Sequence, residues 1–277
     1  MDTVVTAAEQ SARLPVVVGV DGMAATPHSV DLAASEAARR GVPLAVVHAW
    51  PGRPVRPSRT RAVMPARAEG RHLLELAARR ARHAYPDLEI VTELADQGAA
   101  QALLRWSARA SLLVVGHRDE TRSRYGWGPT AAYLAHHTEC PLLVHRGPAP
   151  SRGPVAVALS GARTPTLAMA CGEAARAGCS LVAVHVRTKR DDQRFAERLT
   201  ADVPVQRLLI SGADIPYTVD RISWRARLMV AGIGHKGWAV ETVYGTPGVT
   251  SAGRRLCPVL LVPPNVKALA GKSAVPK

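Results

Sequence analysis

At 277 residues the chain is long enough for one large domain or for two of roughly 140 residues, each able to bury a core. Its composition is 47% hydrophobic but only 4% aromatic, which calls for a core of Ala, Val and Leu, and no window approaches the run of about 18 apolar residues that a membrane span needs. The formal charge of +14 invites a polyanion partner, yet most arginines alternate with acids or with apolar helix positions, the pattern of solvated helix faces rather than of a nucleic-acid surface.

The start, "MDTVVTAAEQSARLP", lacks the basic-then-apolar order of a signal peptide, so residues 1–12 are expected to be a disordered N-terminus of a soluble cytoplasmic protein. "PVVVGVDG" then reads as a buried strand running into a turn. Thr26-Pro27 marks a helix start, with a side-chain acceptor at N-cap and a proline in the first turn, where its missing N–H costs nothing. After a glycine comes a second strand, "LAVVH". "PGRPVRPSRTRAVMPAR" (51–67) is rich in Pro and Arg and free of acids, and reads as an exposed basic loop able to meet an anionic partner. A helix, a weaker strand "LEIVTEL", a turn at Gly98 with its helix, and the strand "SLLVVG" follow. A loop then leads to Gly128-Pro129-Thr130 and a helix ending "HHTECP", before the closing strand "PLLVHR".

The same order then repeats. "PVVVGVDGMAATPHSVDLAASEAARRGVPLAVVHAW" (15–50) returns as "PVAVALSGARTPTLAMACGEAARAGCSLVAVHVR" (154–187), and "ARASLLVVG" (108–116) returns as "WRARLMVAG" (224–232). The repeat predicts domains at 13–147 and 154–264, a linker at 148–153 and a disordered tail at 265–277. Near-continuous apolar strands suit a sheet buried on both faces. The expected fold class is therefore α/β, with two doubly wound, parallel, five-stranded sheets in tandem. "PLLVHR" and "PVLLVPP" would each leave an apolar edge exposed, so the two copies are expected to pack through these closing strands about a pseudo-twofold axis, forming an intramolecular pseudo-dimer. Cys140, Cys171, Cys179 and Cys257 make no C-x-x-C pair and are expected as free thiols.

Taken together, "VVVGVDG", the "VVH" second strand, the Gly98 and Gly212 turns, "LLVVG" and "LAHHTECPLLVHR" resemble the universal stress protein family in its tandem, actinobacterial arrangement. That resemblance implies a Rossmann-like sheet of the adenine nucleotide alpha hydrolase-like kind, a role in the stress response and a site for ATP or a related adenine nucleotide. It implies an acid after the first strand, here Asp21, with Val47 of "VVH" nearby. It also implies a phosphate loop G-x2-G-x9-G-[ST] after the fourth strand. Such a loop works because glycines let backbone N–H groups approach phosphate oxygens and because a helix N-terminus carries partial positive charge.

Neither copy keeps the whole pattern. In the first, Gly116 opens the loop, Asp119 stands at the second glycine, and Gly128 precedes Pro129 and Thr130 one residue short; Arg118 can offset part of the acid there. In the second, Gly232 leads at the family spacing to Gly245-Thr246, with His235 at the second glycine and Lys236 beside it, but Ser160 replaces the acid. The second copy is therefore the expected phosphate holder and the first the expected base or ribose holder.

Gly232-Ile-Gly234-His-Lys-Gly237 matches G-x-G-x-x-G literally, but it does not follow the first strand and lacks the acid expected about 20 residues on, so no NAD or FAD site is read there. His136, His137 and Cys140 lack further ligands at a recognisable spacing, so no metal is expected. No nucleophile and base share a catalytic spacing, and the chain is not expected to be an enzyme. Three functions stay open: an adenine-nucleotide-binding stress protein, a protein-interaction module of the same fold with an unknown partner, and a polyanion binder using the basic loop. A homodimer is compatible with each.

Overall fold

The computed structural model describes residues 14–23, 26–50, 67–116, 128–146, 152–159, 165–186, 203–210, 218, 221–233 and 257–264. In chain order these form β1 (Val16–Val20), α1 (Thr26–Arg40), β2 (Leu44–Ala49), α2 (Arg67–Ala84), β3 (Ile90–Ala95), α3 (Ala99–Ser107), β4 (Leu112–Gly116), α4 (Pro129–His137) and β5 (Leu142–His145). The second half supplies β6 (Val155–Leu159), α5 (Pro165–Arg176), β7 (Leu181–Val186), β8 (Val205–Ile210), β9 (Leu228–Gly232) and β10 (Val259–Val262). Of the basic loop, residues 51–66 lie outside the described residues while Arg67 opens α2; most of the predicted linker and residues 187–202 also lie outside them.

Each half is the parallel, doubly wound, five-stranded sheet that the repeat predicts. The halves are joined edge to edge, and the strand order across one ten-stranded sheet is β3-β2-β1-β4-β5-β10-β9-β6-β7-β8. The seam is antiparallel, with Val144 opposite Val259, Leu143 opposite Leu260 and Leu142 opposite Leu261, so each closing strand covers the other's edge. The strands of one half consequently point opposite to those of the other.

The inner strands are buried on both faces, which is why they show no polar alternation, whereas the edge strand β3 is exposed at Val91 and Thr92. On one face Val17, Leu113, Leu142 and Val144 pack with Leu103 of α3 and Leu134 of α4 and continue into Met229, Val259 and Leu261 of the second half. On the other, Val16, Val18, Val114 and Leu143 meet the alanine stripe Ala33, Ala34 and Ala37 of α1, continuing through Leu260 and Val230 to Ala170 and Ala174 of α5. Small helix residues let the helices lie close on the sheet. Full burial of each Val or Leu is worth about 1.5–3 kcal/mol.

The repeat extends to the helix ends. Gly41 (φ +63°) and Gly178 (φ +58°) stand just past α1 and α5 in the left-handed region. In each case the glycine N–H and the next N–H return to the last helical turn: Gly41 to Ala38 and Val42 to Ala37, Gly178 to Ala175 and Cys179 to Ala174. A Cβ at either glycine would meet nothing within 4 Å, so substitution there tests the backbone alone. Gly41→Ala and Gly178→Ala are each expected to cost about 1–2 kcal/mol, read as a lower urea midpoint at unchanged m-value.

All four cysteines are free. Cys140 and Cys257 precede the prolines that open the two seam strands and are 5% and 0% exposed. Burial pushes both thiols up to about 12. In the native protein they are expected to resist a thiol reagent at about pH 8 and to react only on unfolding, whereas the half-buried Cys171 and Cys179 react earlier; peptide mass mapping distinguishes the two pairs.

Candidate functional site

β1 pairs with β2 on one side and with β4 on the other, so the chain order reverses between β1 and β4. In such a sheet the crevice outside the carboxyl ends of these two strands is where ligands bind. Asp21 is the first residue beyond β1. Its Oδ1 accepts the Met23 N–H at 3.0 Å and the Thr26 hydroxyl at 2.9 Å. The carboxylate is therefore held by its own turn and by the first residue of α1, while no described residue donates to Oδ2. Thr26, expected as an N-cap acceptor, gives its hydroxyl proton to this acid.

Gly116 is the last residue of β4, paired with His145 of β5. α4 leads back to the start of β5, so its N-terminus opens at the carboxyl end of the sheet, the same end as Asp21. It begins at Gly128 (φ 74°, ψ 153°) with a proline in the first turn, and no side chain caps it. Thr130 lies in that first turn. The N–H groups of a first helical turn have no partner within the helix, and together with the helix dipole they favour an anion.

Val47 is placed differently from a polar contact. It sits in β2 opposite Gly19 and Glu93, with its side chain 2% exposed in the cluster that includes Leu103 and Ala95. In the second half, Gly232 ends β9, and a Cβ there would stand 2.6 Å from the Thr166 hydroxyl in the first turn of α5. That glycine permits a close helix approach at the second switch point, between β6 and β9. Arg118, His235, Lys236, Gly245 and Thr246 lie outside the described residues.

Two features escaped the sequence reading. The His48 ring, at the end of β2, has Nδ1 2.8 Å from the Val20 carbonyl oxygen, one residue before Asp21. Farther along the same face, Arg40 of α1 bonds Glu36 of its own helix at 3.2 Å and Glu173 of α5 at 2.7 Å. Arg39 and Arg176 complete the cluster by pairing Glu36 and Glu173 respectively. Glu173 is 2% exposed; burial alone would raise its carboxyl, but Arg40 and Arg176 outweigh that and hold it below the ordinary value. The repeated "EAAR" of 36–39 and 173–176 was the available signal. Most arginines read as solvated, but Arg40, whose side chain is 11% exposed, is not.

His145 stacks on His28 of α1 with ring centroids 5.8 Å apart. Burial and the neighbouring His28 pull the His145 imidazole below its ordinary value, against Asp31. His136 and His137 are exposed while Cys140 is buried. Among the described residues, no three His, Cys, Asp or Glu side chains gather to hold a metal. No described helix is long and apolar enough to cross a membrane.

The family model described as "Universal stress protein family" matches residues 13–146. Universal stress protein Rv2623 of Mycobacterium tuberculosis is 27% identical, the match covering 91% of this chain and 97% of that protein. A universal stress protein of Mycolicibacterium smegmatis is 27% identical over 90% of this chain and 97% of its own. The crystal structure of a universal stress protein from Archaeoglobus fulgidus DSM 4304 superposes with a TM-score of 0.67 at 14% identity, covering 92% of this chain and 98% of that one, which is a likeness of fold.

Proposed function

We propose, from the match of residues 13–146 to the universal stress protein family model and from the likeness to family members along nine-tenths of its length, that this chain is a stress-response protein that binds an adenine nucleotide in its first half and acts through that binding rather than through catalysis. The observation that carries this reading is the Asp21 carboxylate, fixed at the switch point by two internal hydrogen bonds to one oxygen. An acceptor already oriented in this way can take hydrogen bonds from ribose hydroxyls or an adenine amino group without a further ordering cost. Gly116 and the N-terminus of α4, with Gly128 and Thr130, stand on the side where phosphates would extend, and Arg118 supplies a cation in the intervening sequence. ATP is the ligand proposed for test.

In the second half, where Ser160 replaces the acid, we assign Gly232, His235, Lys236, Gly245 and Thr246 to holding an anion rather than a base. Purified chain should release a nucleotide on denaturation, identifiable by its ultraviolet spectrum and mass, and should give saturable heat when the stripped protein is titrated with ATP, ADP or AMP. No released nucleotide and no heat would move the protein to the other reading, a nucleotide-independent interaction module.

A further inference from the structure

We propose that His48 is a positioning residue for Asp21, setting the direction in which the carboxylate meets its ligand. The proposal rests on the reading of Asp21 as a ligand-binding group. The Val20 carbonyl oxygen can only accept, so at 2.8 Å the His48 Nδ1 carries the proton and donates. Val20 and His48 stand directly opposite each other in the β1–β2 ladder. The bond therefore ties the last carbonyl of β1, whose peptide unit continues directly into Asp21, to the neighbouring strand.

The ring itself is held from its other side. Gly70, in the first turn of α2, lies so close that a Cβ there would be 3.0 Å from His48 Cδ2 and 3.5 Å from Nε2. With this edge of the ring packed against the start of α2, the observed orientation, with Nδ1 on the Val20 carbonyl, is the one the surroundings favour. The tautomer and the orientation are thus fixed together, as when a second hydrogen-bond partner fixes a functional histidine. The repeat places a histidine in the same register of the second half, His185 opposite Leu159, although an acid is absent from the residue that follows.

The test uses the full chain and three readouts. Nitrogen NMR of the wild-type protein is expected to show His48 protonated at Nδ1; a neutral ring protonated only at Nε2 overturns the proposal. The Met23 amide, which donates to Asp21, reports the geometry of the acid through hydrogen exchange. His48→Phe removes the donor while keeping a ring, and is expected to speed Met23 exchange and to weaken ATP binding roughly tenfold. His48→Asn, whose side-chain amide can replace Nδ1–H, is expected to restore protection of Met23 and to bring binding to within about threefold of wild type. If His48→Phe leaves Met23 exchange unchanged, or if both variants weaken binding equally, the ring only packs and the proposal fails. If the wild-type protein binds no nucleotide, the nucleotide reading fails by itself, and the exchange of Met23 in the two variants still decides whether His48 positions Asp21.

Discussion

Arg40→Met is expected to cost about 3 kcal/mol or more of stability near neutral pH, within the range for breaking a buried ion pair by removing one partner. Arg40 is the cation shared by the two repeats. It bridges Glu36 and Glu173, whose side chains are 8% and 2% exposed, and the position that matches it in the second copy is Ala177. Without it, two desolvated carboxylates face each other across the seam. Among the described residues each keeps the ion pair with its outer arginine, Arg39 or Arg176, which are 31% and 38% exposed and correspondingly well hydrated. Combining Arg40→Met with Glu173→Leu should recover much of the loss, because Glu36 keeps Arg39 and the arginine that loses its partner, Arg176, is 38% exposed and hydrated, so no buried charge is left uncompensated.

The pH dependence has a definite sign. The Glu173 carboxyl is depressed in the folded state, so its contribution is fully present above the unfolded carboxyl value of about 4.3 and disappears as pH falls through the lower folded value. The cost of Arg40→Met should therefore shrink on acidification. Urea unfolding of the two variants and the wild type at several pH values measures it. A constant difference down to pH values well below 4 would mean that the charge of Glu173 is not what Arg40 compensates.

Asp21→Ala is expected to weaken ATP binding by roughly 30- to 1000-fold, equivalent to the 2–4 kcal/mol carried by a carboxylate accepting hydrogen bonds from a ligand. The acid also holds Met23 and Thr26, so part of any loss could come from a loosened turn. Asp21→Asn separates the two effects. Its oxygen can still accept both internal bonds, but the charge and one acceptor are gone, so it should bind between alanine and wild type while unfolding at the wild-type urea midpoint. Calorimetric titration gives the affinities. An unchanged constant in Asp21→Ala would place any nucleotide in the second half.

What could be read from the sequence followed from short-range order. The strands are runs such as "VVVGV" and "LLVVG", buried on both faces, and such runs announce a parallel sheet without tertiary knowledge. The glycines after α1 and α5, and the apolar edges of β5 and β10, followed from the same local rules. The charge cluster was hidden because Glu36 with Arg39 or Arg40 has the spacing of any solvent-facing helix pair. Only the seam brings Glu173 against them, and only that contact converts a surface pattern into a buried one. His48 was hidden for a related reason: a histidine closing an apolar strand looks the same whether its ring meets solvent or a neighbouring carbonyl. The acid at Asp21 was legible as a position, while the donors that orient it, Met23 and Thr26, became visible only with the turn.

The antiparallel seam also sets how far apart two ligands must be. The crevice between β1 and β4 and the one between β9 and β6 are four strand positions apart and open at opposite rims of the sheet. With strands about 4.8 Å apart and five residues rising about 3.3 Å each, they are separated by roughly 25 Å. A bivalent molecule carrying a nucleotide at one end and an anionic group at the other would need a tether that passes around the sheet edge, so one with a shorter linker gains no avidity and engages one crevice at a time.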